Sequence, residues 1–189
     1  MTEKDVLKVF DKYNALLTGH FRLSSGLHSE KYLQCALVLQ YPVAAESLAK
    51  ELAKKFNKEK IDVVIGPALG GITIAYEVAR ALNVRGLFTE RQDGKMVLRR
   101  GFSVKFGERV LVVEDVITTG LSTKEVIEVV KSLGGQVIGV GSIIDRSSAS
   151  VDFGVKFESL AKIKVDTFKE GDCPLCKSNI PITKPGSRK

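Results

Sequence analysis

Val110-Leu111-Val112-Val113-Glu114-Asp115-Val116-Ile117-Thr118-Thr119-Gly120-Leu121-Ser122-Thr123 joins an aliphatic run to two adjacent carboxylates and then to a hydroxyl-rich turn containing glycine. The run reads as a buried strand, and Leu121 to Leu133 as the helix that follows. A turn of this kind offers backbone N–H groups, Thr and Ser hydroxyls and the positive end of a helix dipole, a cradle for a phosphate monoester. Carboxylates repel phosphate but accept hydrogen bonds from sugar hydroxyls or ligate a metal ion. A phosphorylated sugar satisfies both halves. An ordinary capped turn, with Ser122 or Thr119 capping the helix, leaves two acids at a strand end without a task.

Outward from this stretch the chain alternates. Asp62-Val63-Val64-Ile65 reads as a strand, Gly66 to Gly71 as a turn and Ile72 to Leu82 as a helix. Val84 to Thr89 and Val137 to Ile144 are further strands, and Gly134-Gly135 closes the helix between the last two strands. Pro42 opens a helix to about Phe56, and Val6, Leu7, Val9, Phe10 and Tyr13 form an amphipathic pattern near the N-terminus. Gly19 to Ser29 reads as turns and short extended pieces. Continuous Val/Ile strands separated by helices imply a parallel sheet covered on both faces, with ligands at the strands' carboxyl ends. The expected class is therefore α/β. No Gly-x4-Gly-Lys-Ser/Thr is present, and Gly139-Val140-Gly141 falls inside a strand, which excludes a P-loop and a dinucleotide fingerprint.

The 189 residues suit one domain, with 44% apolar and 27% charged residues inside ordinary globular values. No apolar run reaches the roughly 20 residues of a membrane helix. Met1-Thr2-Glu3-Lys4-Asp5 is too charged for a signal peptide, and three cysteines suit a reducing compartment, so a cytoplasmic protein is expected. The net charge of +7 is uneven: residues 85–109 carry +4, residues 162–189 another +4, and the rest −1. Such patches suit a nucleic acid, an anionic surface or a small polyanion.

Val-Glu-Asp-Val-Ile-Thr-Thr-Gly resembles the signature of type I phosphoribosyltransferases, which bind 5-phosphoribosyl 1-diphosphate (PRPP). The resemblance implies that Glu114 and Asp115 hold the ribose hydroxyls and that Thr118, Thr119, Gly120, Leu121 and Ser122 wrap the 5′-phosphate, so that the PRPP segment is Glu114 to Ser122 with Val116 and Ile117 inside it. Gly66-Pro67-Ala68-Leu69-Gly70-Gly71 resembles the family's pyrophosphate turn. Gly19-His20-Phe21-Arg22-Leu23-Ser24-Ser25-Gly26-Leu27-His28-Ser29 and Asp145-Arg146 are similar to the base lid and base-facing arginine of the orotate-specific branch. Orotate carries a carboxylate, for which a guanidinium fork is a natural partner.

The implied fold is a mostly parallel central sheet flanked by helices with a small N-terminal hood: a helix and hood over 1–40, a core over 60–150 and a C-terminal arm over 171–189. The implied reaction transfers phosphoribose from PRPP to orotate in pyrimidine synthesis, with Thr118 and Arg146 on orotate. Asp115, Lys95 and Arg91 are the implied catalytic groups. Mg²⁺ would be held mainly by PRPP, so no side chain is assigned to it. Leu69-Gly70 and Ser24 stand where enteric-type members carry lysines. Arg91 and Lys95, flanked by Arg99 and Arg100, are then the expected pyrophosphate cations, on a charged loop at 90–101 that closes over the site. In the family this loop reaches the partner subunit, which implies a homodimer without nucleic acid or membrane. Two other readings stand beside this one: a purine-base transferase, and a PRPP-sensing nucleic-acid-binding regulator supported only by the charge. Cys173-Pro174-Leu175-Cys176 has half of a zinc-knuckle spacing. Neither Cys35, His20 nor His28 has knuckle spacing to it, and the histidines are expected in the base lid. The pair is read as incidental or structural, as a redox pair, or as half of a site shared across a dimer.

Overall fold

The computed structural model describes residues 1–23, 25–147 and 149–185. Ser24 and the last four residues of the expected arm lie outside them. The elements run α1 (Glu3–Lys12), β1 (Leu16–Arg22), β2 (His28–Leu33), α2 (Ala36–Leu39), α3 (Pro42–Lys54), β3 (Val63–Pro67), α4 (Gly70–Leu82), β4 (Arg85–Gln92), β5 (Lys95–Leu98), β6 (Arg109–Ile117), α5 (Leu121–Ser132), β7 (Gln136–Asp145), β8 (Lys156–Lys162) and α6 (Pro174–Lys177). The main sheet has the order β5-β4-β3-β6-β7-β8. All pairs from β4 to β8 are parallel, and β5 alone is antiparallel at one edge.

The aliphatic runs work because strand side chains alternate between faces. Val64, Leu111 and Val113 face a core with Leu48, Leu52 and Phe56 and with Ile74 and Val78 of α4. Val63, Ile65, Val110 and Val112 face a second core with Val126, Ile127 and Val130 of α5. All of these side chains are at most 3% exposed, so both faces of the central strands are covered. Burying each such side chain contributes about 1.5–3 kcal/mol relative to exposure. Gly139 and Gly141 do lie inside β7, against Phe56 and Leu52. α1 begins in a capping box: Asp5 N–H donates to Thr2 Oγ1 at 3.3 Å and Thr2 N–H to Asp5 Oδ2 at 3.0 Å.

Three regions differ from the sequence expectation. Gly19 to Ser29 belongs to an antiparallel hairpin, β1 with β2, irregular between Thr18 and Phe21. Glycine and serine hide the strand signal there. The stretch expected as a charged loop at 90–101 is also a hairpin: Thr89 pairs with Leu98 and Gln92 with Lys95, around an Asp93-Gly94 turn. Polar side chains at an edge mask the period-two pattern, although Asp-Gly is itself a hairpin signal. Strand β8 was not expected at all, and its charged ends explain why. After β8 the chain returns over the hood. Phe168 and His28 exchange backbone hydrogen bonds at 2.8 and 2.9 Å; Thr183 N–H donates to the His20 carbonyl, and Arg22 N–H to the Thr183 carbonyl, both at 2.8 Å.

Candidate active site

The carboxyl ends of β6 and β7, the N-terminus of α5, the hood and the returning C-terminal segment enclose a cleft of about 430 Å³. Its floor is Glu114 and Val116 to Thr123, all on the stretch from which the sequence reading began. Strand β6 runs on to Ile117, four residues past the aliphatic run, and so delivers both acids inside the sheet. Thr118 and Thr119 are exposed at the turn, and Gly120 takes φ +74° before α5 begins. A Cβ there would also stand 2.7 Å from Val151 Cγ1 and 2.9 Å from Phe153, so only glycine makes this turn. The first N–H groups of α5 have no intrahelical acceptor and are of the kind that can bind an anion.

The acidic pair is held from its own backbone. Val116 N–H donates to Asp115 Oδ1 at 2.8 Å, and Asp115 N–H to Glu114 Oε1 at 3.2 Å. Burial raises the Asp115 carboxyl above its ordinary range, with hydrogen bonds opposing the shift. The Gly66–Gly71 turn packs directly behind this pair. A Cβ at Gly70 would stand 2.7 Å from Asp115 Oδ2, and one at Gly71 3.1 Å from Glu114 Oε1. The peptide between Ala68 and Leu69 in this turn is cis. Thus the two segments that the sequence assigned to ribose and to pyrophosphate meet at Asp115. Cys35 is fully buried close by, and burial together with the charges of Asp115 and Glu114 raises its thiol well above the ordinary value. It is an inert neutral thiol at neutral pH.

Arg146 also lines the cleft. Its N–H donates to the Ile117 carbonyl at 2.8 Å, and a turn in which Asp145 Oδ1 accepts from Ser147 N–H and Oγ fixes the backbone on either side. The guanidinium is half-buried, and desolvation lowers its pKa. No carboxylate among the described residues lies within ion-pair distance of it. The walls beside it are Leu23, Ser25 and Leu27 of the hood and Val165 and Thr167 of the returning segment. The sequence reading missed the last two. They follow a strand with no clear pattern, and only the topology brings them to the site.

Arg91 and Lys95 are placed differently from the rest. They lie on the β4–β5 hairpin, outside the residues lining the cleft. Arg91 donates from Nη1 to the Gly94 carbonyl at 2.7 Å and to Glu125 of α5 at 3.1 Å, and Nη2 also binds Glu125. The basic cluster of 85–109 is largely neutralised: Arg85 pairs with Glu108, Arg99 and Arg100 with Glu90, and Arg109 with Asp62. Among the described residues Lys95 and Lys105 have no such partner. The charge excess that suggested a polyanion grip is thus mostly spent on local ion pairs within this chain.

An acid pair, a hydroxyl-rich turn at a helix N-terminus and a glycine turn, brought together at the carboxyl edge of a parallel sheet, are the arrangement expected of a phosphoribosyl-transfer site. Comparison with known proteins agrees: the phosphoribosyl transferase domain family matches residues 40–169. Curated orotate phosphoribosyltransferases are similar over the whole chain. That of Caldanaerobacter subterraneus subsp. tengcongensis is 60% identical over 189 residues, covering 100% of both chains. That of Thermotoga maritima is 54% identical over 183 residues, covering 97% of this chain and 98% of its own. The crystal structure of orotate phosphoribosyltransferase from Aeropyrum pernix is 30% identical and superposes with a TM-score of 0.68, over 84% of this chain and 93% of that one. The chain belongs to the orotate phosphoribosyltransferase family. Among the described residues no helix is long and apolar enough to cross a membrane.

Proposed function

We propose that this chain transfers the 5-phosphoribosyl group of PRPP to orotate, giving orotidine 5′-monophosphate and pyrophosphate in the synthesis of UMP. The observation that carries the choice of base is Arg146. A half-buried guanidinium with no acidic partner among the described residues, on the wall of a ribose-phosphate cleft, is completed by a carboxylate on the base. A purine brings no such group and leaves the cation unpaired. The nucleic-acid reading loses the support of residues 85–109, since most of that basic cluster is paired within the chain.

In this reading Glu114 and Asp115 accept hydrogen bonds from the ribose hydroxyls, Thr118 to Ser122 hold the 5′-phosphate, and Arg146 with Thr118 orients orotate. The Gly66–Gly71 turn takes the diphosphate. A ring nitrogen of orotate bonds to C1 as the C1–O bond to diphosphate breaks; the electron pair departs on diphosphate and the nitrogen's proton is released. Positive charge gathering on the sugar is stabilised by the acid pair below it, and no covalent nucleophile is needed. The residues fit a hard cation: Glu114 lines the cleft with Asp115 next to it in the chain, and among the described residues no imidazole or thiol lines it. These two side chains, with substrate oxygens, would hold Mg²⁺, which when bound would neutralise charge on the diphosphate.

Arg91 and Lys95 do not line the cleft of their own chain, and Arg91 is engaged by Glu125. We place them as the diphosphate cations of a homodimer, each hairpin serving the neighbouring subunit. The test of the reaction is purified protein with PRPP, Mg²⁺ and one base at a time. Orotate absorbance should fall with release of pyrophosphate, while adenine and hypoxanthine remain. Consumption of a purine but not of orotate would overturn the assignment.

A further inference from the structure

His20, His28, Cys173 and Cys176 converge, although 145 residues separate His28 from Cys173 in the sequence. One ligand-type atom from each lies within 4.8 Å of all the others. His20 Nε2 is 3.0 Å from His28 Nδ1, 3.6 Å from Cys173 Sγ and 3.7 Å from Cys176 Sγ; Cys176 Sγ is 3.2 Å from His28 Nδ1. Zinc–nitrogen bonds near 2.0–2.1 Å and zinc–sulfur bonds near 2.3 Å give a tetrahedron with edges of about 3.3 Å between nitrogens and about 3.6 Å from nitrogen to sulfur. The four measured edges lie within a few tenths of an ångström of these.

Hydrogen bonding alone does not account for the cluster. His20 Nδ1 donates to the Ile180 carbonyl at 2.7 Å, which leaves Nε2 as a bare lone pair in the neutral ring. His28 Nδ1 and both sulfurs then crowd around one acceptor that can take one proton. A single cation at the centre uses all four lone pairs at once. The bond to the Ile180 carbonyl is also the kind of outer contact that orients a metal-bound imidazole.

The surroundings need such a tie. Cys173 is 0% exposed, yet the arm around it buries little else: Ile180 and Ile182 are 43% and 46% exposed. Apolar burial is too small to hold this segment against its conformational entropy. A metal closes it onto the hood. The two histidines also bracket the lid: Leu23, Ser25 and Leu27, which line the cleft, lie between them in the chain.

We infer that His20, His28, Cys173 and Cys176 form a structural zinc site that clamps the C-terminal arm to the hood and so fixes the base-side wall of the cleft. The S₂N₂ set in tetrahedral arrangement selects Zn²⁺ among common divalent ions. All four ligands come from one chain, in place of the incidental pair, redox pair or half-site that the Cys-x-x-Cys spacing alone suggests.

The test is metal content of the full-length protein purified without chelator, followed by exchange with Co²⁺. One zinc per chain is expected, and the cobalt form should show the visible bands of a tetrahedral centre with a near-ultraviolet thiolate charge-transfer band. Cys176→Ser should lose the charge-transfer intensity or the metal, and chelation should lower the melting temperature of the wild type. Wild-type protein that carries no zinc and takes up neither Zn²⁺ nor Co²⁺, or whose Cys173 and Cys176 are recovered as a disulfide, overturns the proposal. None of these readouts depends on which reaction the cleft performs.

Discussion

Gly70 packs against Asp115 where the Gly66–Gly71 turn meets the end of β6: a Cβ at position 70 would stand 2.7 Å from Asp115 Oδ2 and 2.8 Å from Oδ1. The Gly66–Gly71 turn, proposed to take diphosphate, therefore cannot carry a side chain at position 70 without moving the Asp115 carboxylate. Gly70→Ala is expected to lower kcat/KM by tenfold or more (about 1.4 kcal/mol in the barrier) while costing about 1–3 kcal/mol of stability through overpacking. Steady-state kinetics with PRPP as the varied substrate checks this, and wild-type values would show that the two segments are not coupled.

Asp115→Asn separates function from stability. Burial raises the Asp115 carboxyl, so the fold disfavours its ionised form. An acid with a raised folded pKa lowers stability as pH rises above its unfolded value of about 3.9. The amide removes that cost at neutral pH. Turnover should fall by about 10²–10³-fold, the scale of losing one preorganised electrostatic contact, while the melting temperature holds or rises. Unchanged activity would remove Asp115 from the mechanism.

Asp62 and Arg109 make the opposite case. Arg109 donates to Asp62 from Nε, Nη2 and the backbone N–H at 2.8, 2.6 and 2.9 Å, and this holds the Asp62 carboxyl well below the ordinary range. A depressed folded pKa gives stability that is present above the unfolded value, about 3.9, and is lost as pH falls below it. Melting curves taken across the acid range should show Asp62→Asn with a shallower decline than wild type below about pH 4. Parallel curves would mean that the pair contributes nothing to acid sensitivity.

Arg91 is held by Glu125, and the two substitutions should differ. If Arg91 serves a diphosphate, Arg91→Ala lowers kcat by at least tenfold, whereas Glu125→Gln leaves kcat at or above the wild-type value. An exposed pair of this kind contributes at most about 1 kcal/mol to stability, so neither variant should melt far from wild type. Equal kcat for both variants and wild type would make the ion pair purely structural.

The parts of the fold legible in the sequence were those governed by local pattern. The valine and isoleucine runs at 63–65 and 110–113 announce strands buried on both faces, and Glu114-Asp115 with Thr118 to Ser122 announces what those strands deliver. The β4–β5 hairpin was less legible because its strands are polar, and its edge position relaxes the alternation on which reading depends. The charge of residues 85–109 misled in magnitude, since composition counts Arg85, Arg91, Arg99, Arg100 and Arg109 but not the carboxylates that fold against them. Val165, Thr167 and the meeting of His20 and His28 with Cys173 and Cys176 were invisible for another reason. They depend on the chain returning over the hood after β8, a contact between distant segments that no local spacing encodes.

Arg146 is proposed to select a base bearing a carboxylate. The ratio of kcat/KM for orotate to that for uracil, which lacks the carboxylate, compared between wild type and Arg146→Ala, decides this. Losing a partly buried, hydrogen-bonded charge pair costs about 2–5 kcal/mol, so the ratio should strongly favour orotate in wild type and fall by about 30-fold or more in the variant. A ratio that Arg146→Ala leaves unchanged would contradict the account.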